Sequence, residues 1–288
     1  MKTYDFFMQQ KMLNIAVKML KEKSLLEHAA LGGGTALAGK YWNHRFSTDI
    51  DIFIYKNDVG TKDLLTHHNW SEEIKKEMQT LGYNSDMKWQ NIYLEFTITQ
   101  ESKMQFFDVK GFTENPFTQE SLWEHEKINI ETPEEIIAKK IYYRSGKGNS
   151  RDIFDIAVAL QKDPLIFKKL TTIPIETYEE LLSTIENITT NDTLRKTFLK
   201  DIMDISPNND YDKIAYCSVD YLKIMVENYV GSLSHHIELS DNDFRMFSSE
   251  AFKEAQEISK DYTWMLIDDI TKELAEKTSS VSEIQELT

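Results

Sequence analysis

The segment Asp49-Ile50-Asp51-Ile52-Phe53-Ile54 alternates with a period of two and carries isoleucine at every even position. That period belongs to a strand and not to a helix, so the segment has one apolar face, and Asp49 and Asp51 project together from the other. Residues two apart on a strand sit roughly 6 to 7 Å from each other. Like charges that close repel, and the repulsion is relieved either by water at an exposed face or by a bound divalent cation. Oxygen ligands of this kind suit Mg²⁺ or Mn²⁺, ions that commonly also take phosphate oxygens. The pair alone leaves both readings open.

Upstream, an apolar pattern at helical spacing runs from residue 6 to residue 30, and Gly32-Gly33-Gly34 stops it. Thr35-Ala36-Leu37-Ala38 then restarts a helix towards Trp42. A Gly33-Gly34-Thr35 turn that opens a helix presents backbone N–H groups and a hydroxyl at the positive end of the helix dipole. Such a turn binds phosphate, and it serves equally as an ordinary capped turn. Turn, helix and Asp-x-Asp strand fall within twenty residues, so helix and strand can pack and bring the turn beside the carboxylates. The same glycines imitate a P-loop, because Gly34 to Lys40 fills its first seven positions. However, Tyr41 stands where Ser or Thr must hold magnesium, the intervening residues are helix formers, and no strand is expected before them.

Further along, the pattern predicts a helix over residues 62–81. Two strands follow, 93–99 and 104–112, joined as an antiparallel hairpin through Gln100-Glu101-Ser102-Lys103. Beyond Pro133 helical patterns dominate, and only Gly146, Gly148 and Gly231 of the ten glycines lie there. Helix starts fall at Pro133 and near Ser150, and long helical stretches cover 211–230 and 247–277. The expected class is α+β, with a mixed region over residues 1–130 and a helical domain over 131–288.

Charge narrows the functional classes. Forty-eight acids against thirty-three bases leave a net charge of −15, which disfavours a protein that coats nucleic acid or anionic membrane indiscriminately. No apolar run approaches the roughly 20 residues of a membrane span, and the first residues lack the pattern of a signal peptide. A soluble cytoplasmic protein, without membrane contact, is expected. The single cysteine, Cys217, excludes an internal disulfide. Against this acidic background, Lys139, Lys140, Arg144, Lys147 and Arg151 lie in a stretch, 136–151, that holds no acid. Lys140 and Arg144, four apart on one helix, either reach a triphosphate together or complement the helix end. Tyr142 and Tyr143 read as core residues in preference to a base-stacking platform.

The run LGGGTALAGKYWNHRFSTDIDIFI resembles the active-site signature of the nucleotidyltransferase superfamily. More narrowly, with His44-Arg45 and Ser47 before the acids, it resembles the AbiEii/AbiGii family of abortive-infection toxins, found in type IV toxin–antitoxin pairs. TPEEIIAKKIYYR followed by SRDIFDIA is similar to that family's helical Lys and Arg-Asp-x-x-Asp region, while residues after about 165 carry no match. The resemblance implies a polymerase-β-like nucleotidyltransferase core, a mixed sheet with flanking helices, over residues 1–130. It implies a mostly helical C-terminal half that supplies Lys and Arg to the nucleotide. Asp49 and Asp51 would bind Mg²⁺ or Mn²⁺, and Gly33, Gly34 and Thr35 would hold the phosphates of an NTP. A third carboxylate would be Asp108 in MQFFDVKGF, in preference to Glu95 in YLEFTIT, because the family's third acid sits on a strand just before the chain leaves the sheet. Lys140, two residues after Ala138, would be the family's lysine, with Lys139 as the neighbouring alternative. Arg144, Arg151, Asp152 and Asp155 would lie at the nucleotide or orient its basic contacts.

The activity so implied is transfer of a nucleoside monophosphate from an NTP to a hydroxyl, with a tRNA 3′ end as the acceptor and a protein hydroxyl as the other choice. A cognate antitoxin is the implied protein partner. The acidic stretch 261–288, with seven acids against two bases and apolar Trp264, Met265, Ile267 and Ile270, is where a basic one could dock. The competing reading is a nuclease, or a catalytically degenerate module that binds nucleotide or nucleic acid on the same fold.

Overall fold

The Asp-x-Asp segment is a strand at the centre of a seven-stranded mixed sheet. The structure, a computed structural model, describes residues 3–56, 60–65, 69–84, 86–90, 93–100, 102–260 and 262. Two compact units divide the chain: Met1–Tyr143 with Lys168–Ile173, and Arg144–Phe167 with Pro174–Thr288.

The first unit opens with α1 (Phe7–Glu22), β1 (Ala29–Gly32) and α2 (Gly33–Ala36), which runs into a π-helical stretch, Leu37–Trp42. Next come β2 (Ile50–Ile54), α3 (Gly60–Leu65), α4 (Trp70–Thr80), β3 (Asp86–Gln90), β4 (Tyr93–Thr97) and β5 (Lys103–Asp108). The hairpin of β6 (Phe117–Leu122) and β7 (His125–Glu131) leads into α5 (Pro133–Arg144). Strand order is β3-β4-β5-β2-β1-β7-β6. The β2–β5 and β1–β7 pairs are parallel and the others antiparallel. The apolar face is made by Ile50, Ile52 and Ile54 of β2 with Met104 and Phe106 of β5, all essentially inaccessible. At about 1.5 to 3 kcal/mol for each large aliphatic side chain buried, these residues hold the register that turns Asp51 to the other face.

The second unit is helical: α6 (Ser150–Lys162), the short α7 (Ile166–Lys169) that straddles the two units, α8 (Ile175–Thr190), α9 (Asp192–Asp204), α10 (Asp212–Ser234) and α11 (241–260). Its core forms where α10 packs on α6 and α8, burying Ile214, Val219, Tyr221, Leu222, Met225 and Val226. The mixed sheet with flanking helices and the helical C-terminal half are therefore as expected. The acidic stretch 261–288, apart from Tyr262, lies outside the described residues.

Three departures matter. A strand, β1, precedes the glycine turn, where the periodicity predicts helix up to residue 30. Its sequence Ala-Ala-Leu-Gly is buried at every position, and a strand covered on both faces shows no alternation to read. The helix predicted over 62–81 is two helices, with residues 66–68 between them outside the described set. Finally β3, β6 and β7 are strands without a clear sequence signal. β3 is an almost wholly exposed edge strand, and edge positions select polar residues over an apolar period.

Candidate active site

Antiparallel pairing sets Gly32 of β1 opposite Asp51 of β2. The chain then turns at Gly33, whose φ of +64° is a conformation L side chains rarely adopt. A Cβ at Gly33 would lie 2.1 Å from Asp51 Oδ2, so the carboxylate occupies the space that glycine leaves. The next residue is equally confined: a Cβ at Gly34 would lie 2.5 Å from Arg45 Nη2 and 2.9 Å from Ser47 Oγ. Arg45 is buried, and its Nη1 donates to the Phe46 carbonyl at 3.0 Å. A buried guanidinium thus backs the turn, a residue that only the family resemblance singled out.

Asp49 immediately precedes β2, and the Lys103 backbone N–H donates to its Oδ1 at 2.9 Å. Thr35 is fully buried, and its hydroxyl donates to the Asp49 carbonyl. The hydroxyl expected to face phosphate instead ties the glycine turn to the strand that carries the acids. Lys40 donates to the Ser121 carbonyl at 3.1 Å and pairs with Glu120, and the residues before it are helical, so the P-loop likeness has no structural counterpart.

The structure does not bring Asp108 to Asp49 and Asp51. In the parallel β2–β5 register Asp108 lies opposite Ile54, three residues from Asp51 and therefore on the other face. Its carboxylate accepts the Thr61 backbone N–H at 3.1 and 3.3 Å and the Thr61 hydroxyl at 2.6 Å, at the first turn of α3. An acid in an apolar strand needed a partner, and here the partner is a helix end.

The acid level with Asp51 is Glu95. Asp51 pairs with Gln105, and Gln105 pairs with Glu95, so all three share one face across β2, β5 and β4. Gln105 Nε2 donates to Glu95 Oε2 at 2.8 Å and to the Tyr93 hydroxyl at 2.9 Å; Tyr93 itself donates to Glu95. Lys103 Nζ lies 3.4 Å from the same carboxylate. Burial works against the charge, but these donors outweigh it and hold the Glu95 carboxyl below its ordinary value. The Tyr93 hydroxyl is pushed up to about 12, by burial first and then by the carboxylate it serves.

On the other side of Asp51 the row continues through Gly32 to Glu131. Leu31 lies opposite Ile130 in the parallel β1–β7 pair, which sets Glu131 level with Gly32, and a Cβ at Gly32 would meet Glu131 Oε2 at 2.1 Å. Glu131 is fully buried; its Oε1 accepts the Tyr55 hydroxyl at 2.5 Å and Lys139 Nζ, while Oε2 has no hydrogen-bond partner among the described residues. Lys139 also donates to the Tyr55 hydroxyl at 2.6 Å, lies 3.3 Å from Glu135 and sits 3.9 Å over the centre of the Phe53 ring. Burial lifts the Glu131 carboxyl to about 7 against the pull of Lys139, and burial together with the two carboxylates pushes the Tyr55 hydroxyl up. Sequence reading did not single out Glu131. Its only signal is an acid ending an apolar strand eight residues before a lysine on the following helix.

Of the paired lysines, Lys139 is committed to this cluster, and Lys140 is buried on the same helix. Gly33, Gly34, Thr35, Asp49, Asp51, Asp108 and Lys140 belong to the first unit, and Arg144, Arg151, Asp152 and Asp155 to the second. Within the second unit Arg144 Nη1 donates to Asp152 Oδ2 at 3.1 Å, and the Asn149 side chain caps α6 on the N–H groups of Arg151 and Asp152. Asp152 and Asp155 are buried and Arg151 is exposed. Among the described residues no group of three or more His, Cys, Asp or Glu stands ready to hold a metal ion. The carboxylates of Asp51 on β2 and of Asp49 just ahead of it would nevertheless suit Mg²⁺, which is commonly held by one or two carboxylates together with substrate phosphates.

This arrangement, a glycine turn against an Asp-x-Asp strand in a mixed sheet, accompanies a match over residues 17–215 to the family described as nucleotidyl transferase AbiEii toxin, type IV toxin–antitoxin system. The protein is a nucleotidyltransferase. It belongs to the AbiEii toxin family, whose match spans more than half of the chain. Among solved structures it is similar to JHP933 from Helicobacter pylori, at 16% identity and a TM-score of 0.45, with 79% of this chain and 94% of that one covered. It is also similar to MenT4, the nucleotidyltransferase toxin Rv2826c of Mycobacterium tuberculosis H37Rv, at 12% identity and a TM-score of 0.38, with 85% and 93% covered. No curated protein matches the chain. Among the described residues no helix is long and apolar enough to cross a membrane.

Proposed function

We propose that the protein is a metal-dependent toxin that moves a nucleoside monophosphate from an NTP onto the hydroxyl at a tRNA 3′ end. The observation that carries this reading is the Asp51 carboxylate lying in the space left by Gly33, which joins the phosphate-type turn to the acidic strand. The acceptor oxygen bonds to the α-phosphorus, the bond from that phosphorus to the β-phosphate bridge breaks, pyrophosphate leaves, and the acceptor's proton passes to a carboxylate. Asp49 and Asp51 would hold Mg²⁺ or Mn²⁺. Such an ion supplies Lewis-acid stabilisation of charge on the phosphoryl oxygens.

In this reading Glu95 replaces Asp108 as the third carboxylate, since it shares the Asp51 face and Asp108 does not. The backbone at Gly33 and Gly34 holds phosphate, backed by Arg45. In the same unit Lys140, on α5, meets the triphosphate, and within the helical unit Asp152 orients Arg144. The protein works in the cytoplasm and is restrained by a cognate antitoxin.

Incubation with each labelled NTP, Mg²⁺ and bulk tRNA, read for label transfer and RNA length, tests the reading. Label joined to RNA, lost on chelation and in Asp49→Asn, is the expected result. Shortened RNA would make the protein a nuclease, and label on protein would move the acceptor. Expression of the chain alone should slow growth in a manner that depends on Asp49.

A further inference from the structure

Tyr142 and Tyr143, near the end of α5, are 44% and 54% exposed, although the sequence pattern places them in the core. They form a cluster with Phe112: ring centroids are 4.8 Å apart for Phe112 and Tyr142, 5.8 Å for Phe112 and Tyr143, and 5.0 Å for the two tyrosines. The cluster is anchored from beneath. Glu135 accepts the backbone N–H groups of Phe112 and Thr113 and the Thr113 hydroxyl, all at 2.9 to 3.2 Å, and the Thr172 hydroxyl donates to the Phe112 carbonyl at 2.7 Å. Large rings fixed in this way present apolar faces to solvent and lose little conformational freedom when a flat partner covers them.

Two observations say what the partner is. The tyrosines adjoin Arg144, exposed on the same helix, and exposed Lys147 and Arg151 follow in a stretch, 136–151, that holds no acid in a chain of net charge −15. Aromatic faces within a local positive segment fit a polyanion that carries flat rings, which is single-stranded nucleic acid. The cluster is also joined to the acidic face inside the same unit, since Glu135 meets Lys139, and Lys139 covers Phe53, two residues from Asp51 on the same side of β2.

We propose that Phe112, Tyr142 and Tyr143 form a stacking platform for an unpaired base near the end of the RNA acceptor. This rests on the reading that the acceptor is RNA. The platform would hold the end of the strand while its hydroxyl lies at the carboxylates, with sequence tolerance, because every base has a π face.

The test measures binding without turnover, by fluorescence anisotropy of a labelled single-stranded oligoribonucleotide in the Asp49→Asn background. Tyr142→Phe with Tyr143→Phe keeps the rings and should keep the affinity. Tyr142→Ala with Tyr143→Ala should weaken it roughly tenfold or more, and the loss should persist in raised salt because stacking is not a charge interaction. Both positions are exposed, so thermal unfolding of the two double variants should match. No binding by the parent, or equal binding by the alanine variant, overturns the proposal. So does self-association of the parent that the alanine substitutions abolish while RNA binding stays unchanged, since the rings would then serve a protein interface. Ring-dependent binding without label transfer would sink the transfer reading and leave the platform standing; transfer without ring-dependent binding would do the reverse.

Discussion

Glu95 and Glu131 sit one strand in from opposite edges of the same sheet, both almost wholly removed from solvent, yet their surroundings move their protons in opposite directions. Glu95 collects hydrogen bonds from Tyr93 and Gln105 and the charge of Lys103, and these hold it ionised in spite of burial. Glu131 has Lys139 and Tyr55 on one oxygen and, among the described residues, no donor on the other, and burial prevails. The difference teaches that a carboxylate's state on this sheet follows from how many donors reach both of its oxygens, and not from burial alone. One end of the row therefore keeps its carboxylate charged. The other, behind Gly32, is braced by Lys139 and Tyr55 and holds its proton more readily than an ordinary carboxyl.

In the proposed function the chemistry lies at Asp49 and Asp51, between these two glutamates, and the largest expected effect is there. Asp49→Asn or Asp51→Asn should reduce transfer to background while the protein stays folded, because a neutral amide loses metal affinity and relieves carboxylate repulsion. Near-normal turnover in either variant would remove the centre of the row from the mechanism.

Next in size is the lysine pair. Lys139→Ala leaves Glu131 and Glu135 without their shared cation in a buried site and should cost about 3 to 5 kcal/mol of stability by denaturant melts. Lys140→Ala should instead weaken NTP binding by about 1.5 to 3 kcal/mol in a titration. An exchange of these phenotypes would mean that Lys139 is the phosphate lysine.

Glu95→Gln and Asp108→Asn sharpen the choice of third acid. The first should lower turnover with little loss of folding, and the second should cost about 0.5 to 2 kcal/mol of stability, the usual value of a lost helix cap, with turnover per folded molecule retained. Activity that vanishes in Asp108→Asn and survives in Glu95→Gln would restore the order the sequence suggests.

The smallest expected effect is a slope. Glu131 has a folded-state value near 7 against an ordinary 4.5, so between those limits the folded protein keeps a proton that the unfolded chain releases. Its contribution is fully present below about pH 4.5 and is lost as pH rises towards 7. Glu95, lowered in the fold, does the opposite, and its contribution is lost as pH falls below 4.5. Thermal melts across pH should therefore show Glu131→Gln flattening the slope above pH 4.5 and Glu95→Gln flattening it below. Identical profiles for the two variants would erase the contrast.

Legibility followed local determinism. The β2 strand, the hairpin of β4 with β5 and the helix starts at Pro133 and Ser150 were readable because alternation and capping chemistry act over a few residues. β1 was not, since Ala-Ala-Leu-Gly is a poor strand by propensity and becomes one only between β2 and β7. The partner of Asp108 was hidden for a related reason: apolar flanks signal an acid that needs a partner, but that partner, Thr61, lies 47 residues away.

The sequence alone determined the Asp49 and Asp51 pair, the turn that must be glycine, the basic stretch within an acidic chain, and through their order the family, because each of these is a short-range property of neighbouring residues. Tertiary structure decided which glutamates share the Asp51 face, which lysine is spent on buried carboxylates, and that Tyr142 and Tyr143 face solvent. The glutamates and the lysine depend on strand order and on the β2–β5, β4–β5 and β1–β7 registers. A parallel register between strands far apart in sequence is set by packing of whole faces, and no local pattern encodes it.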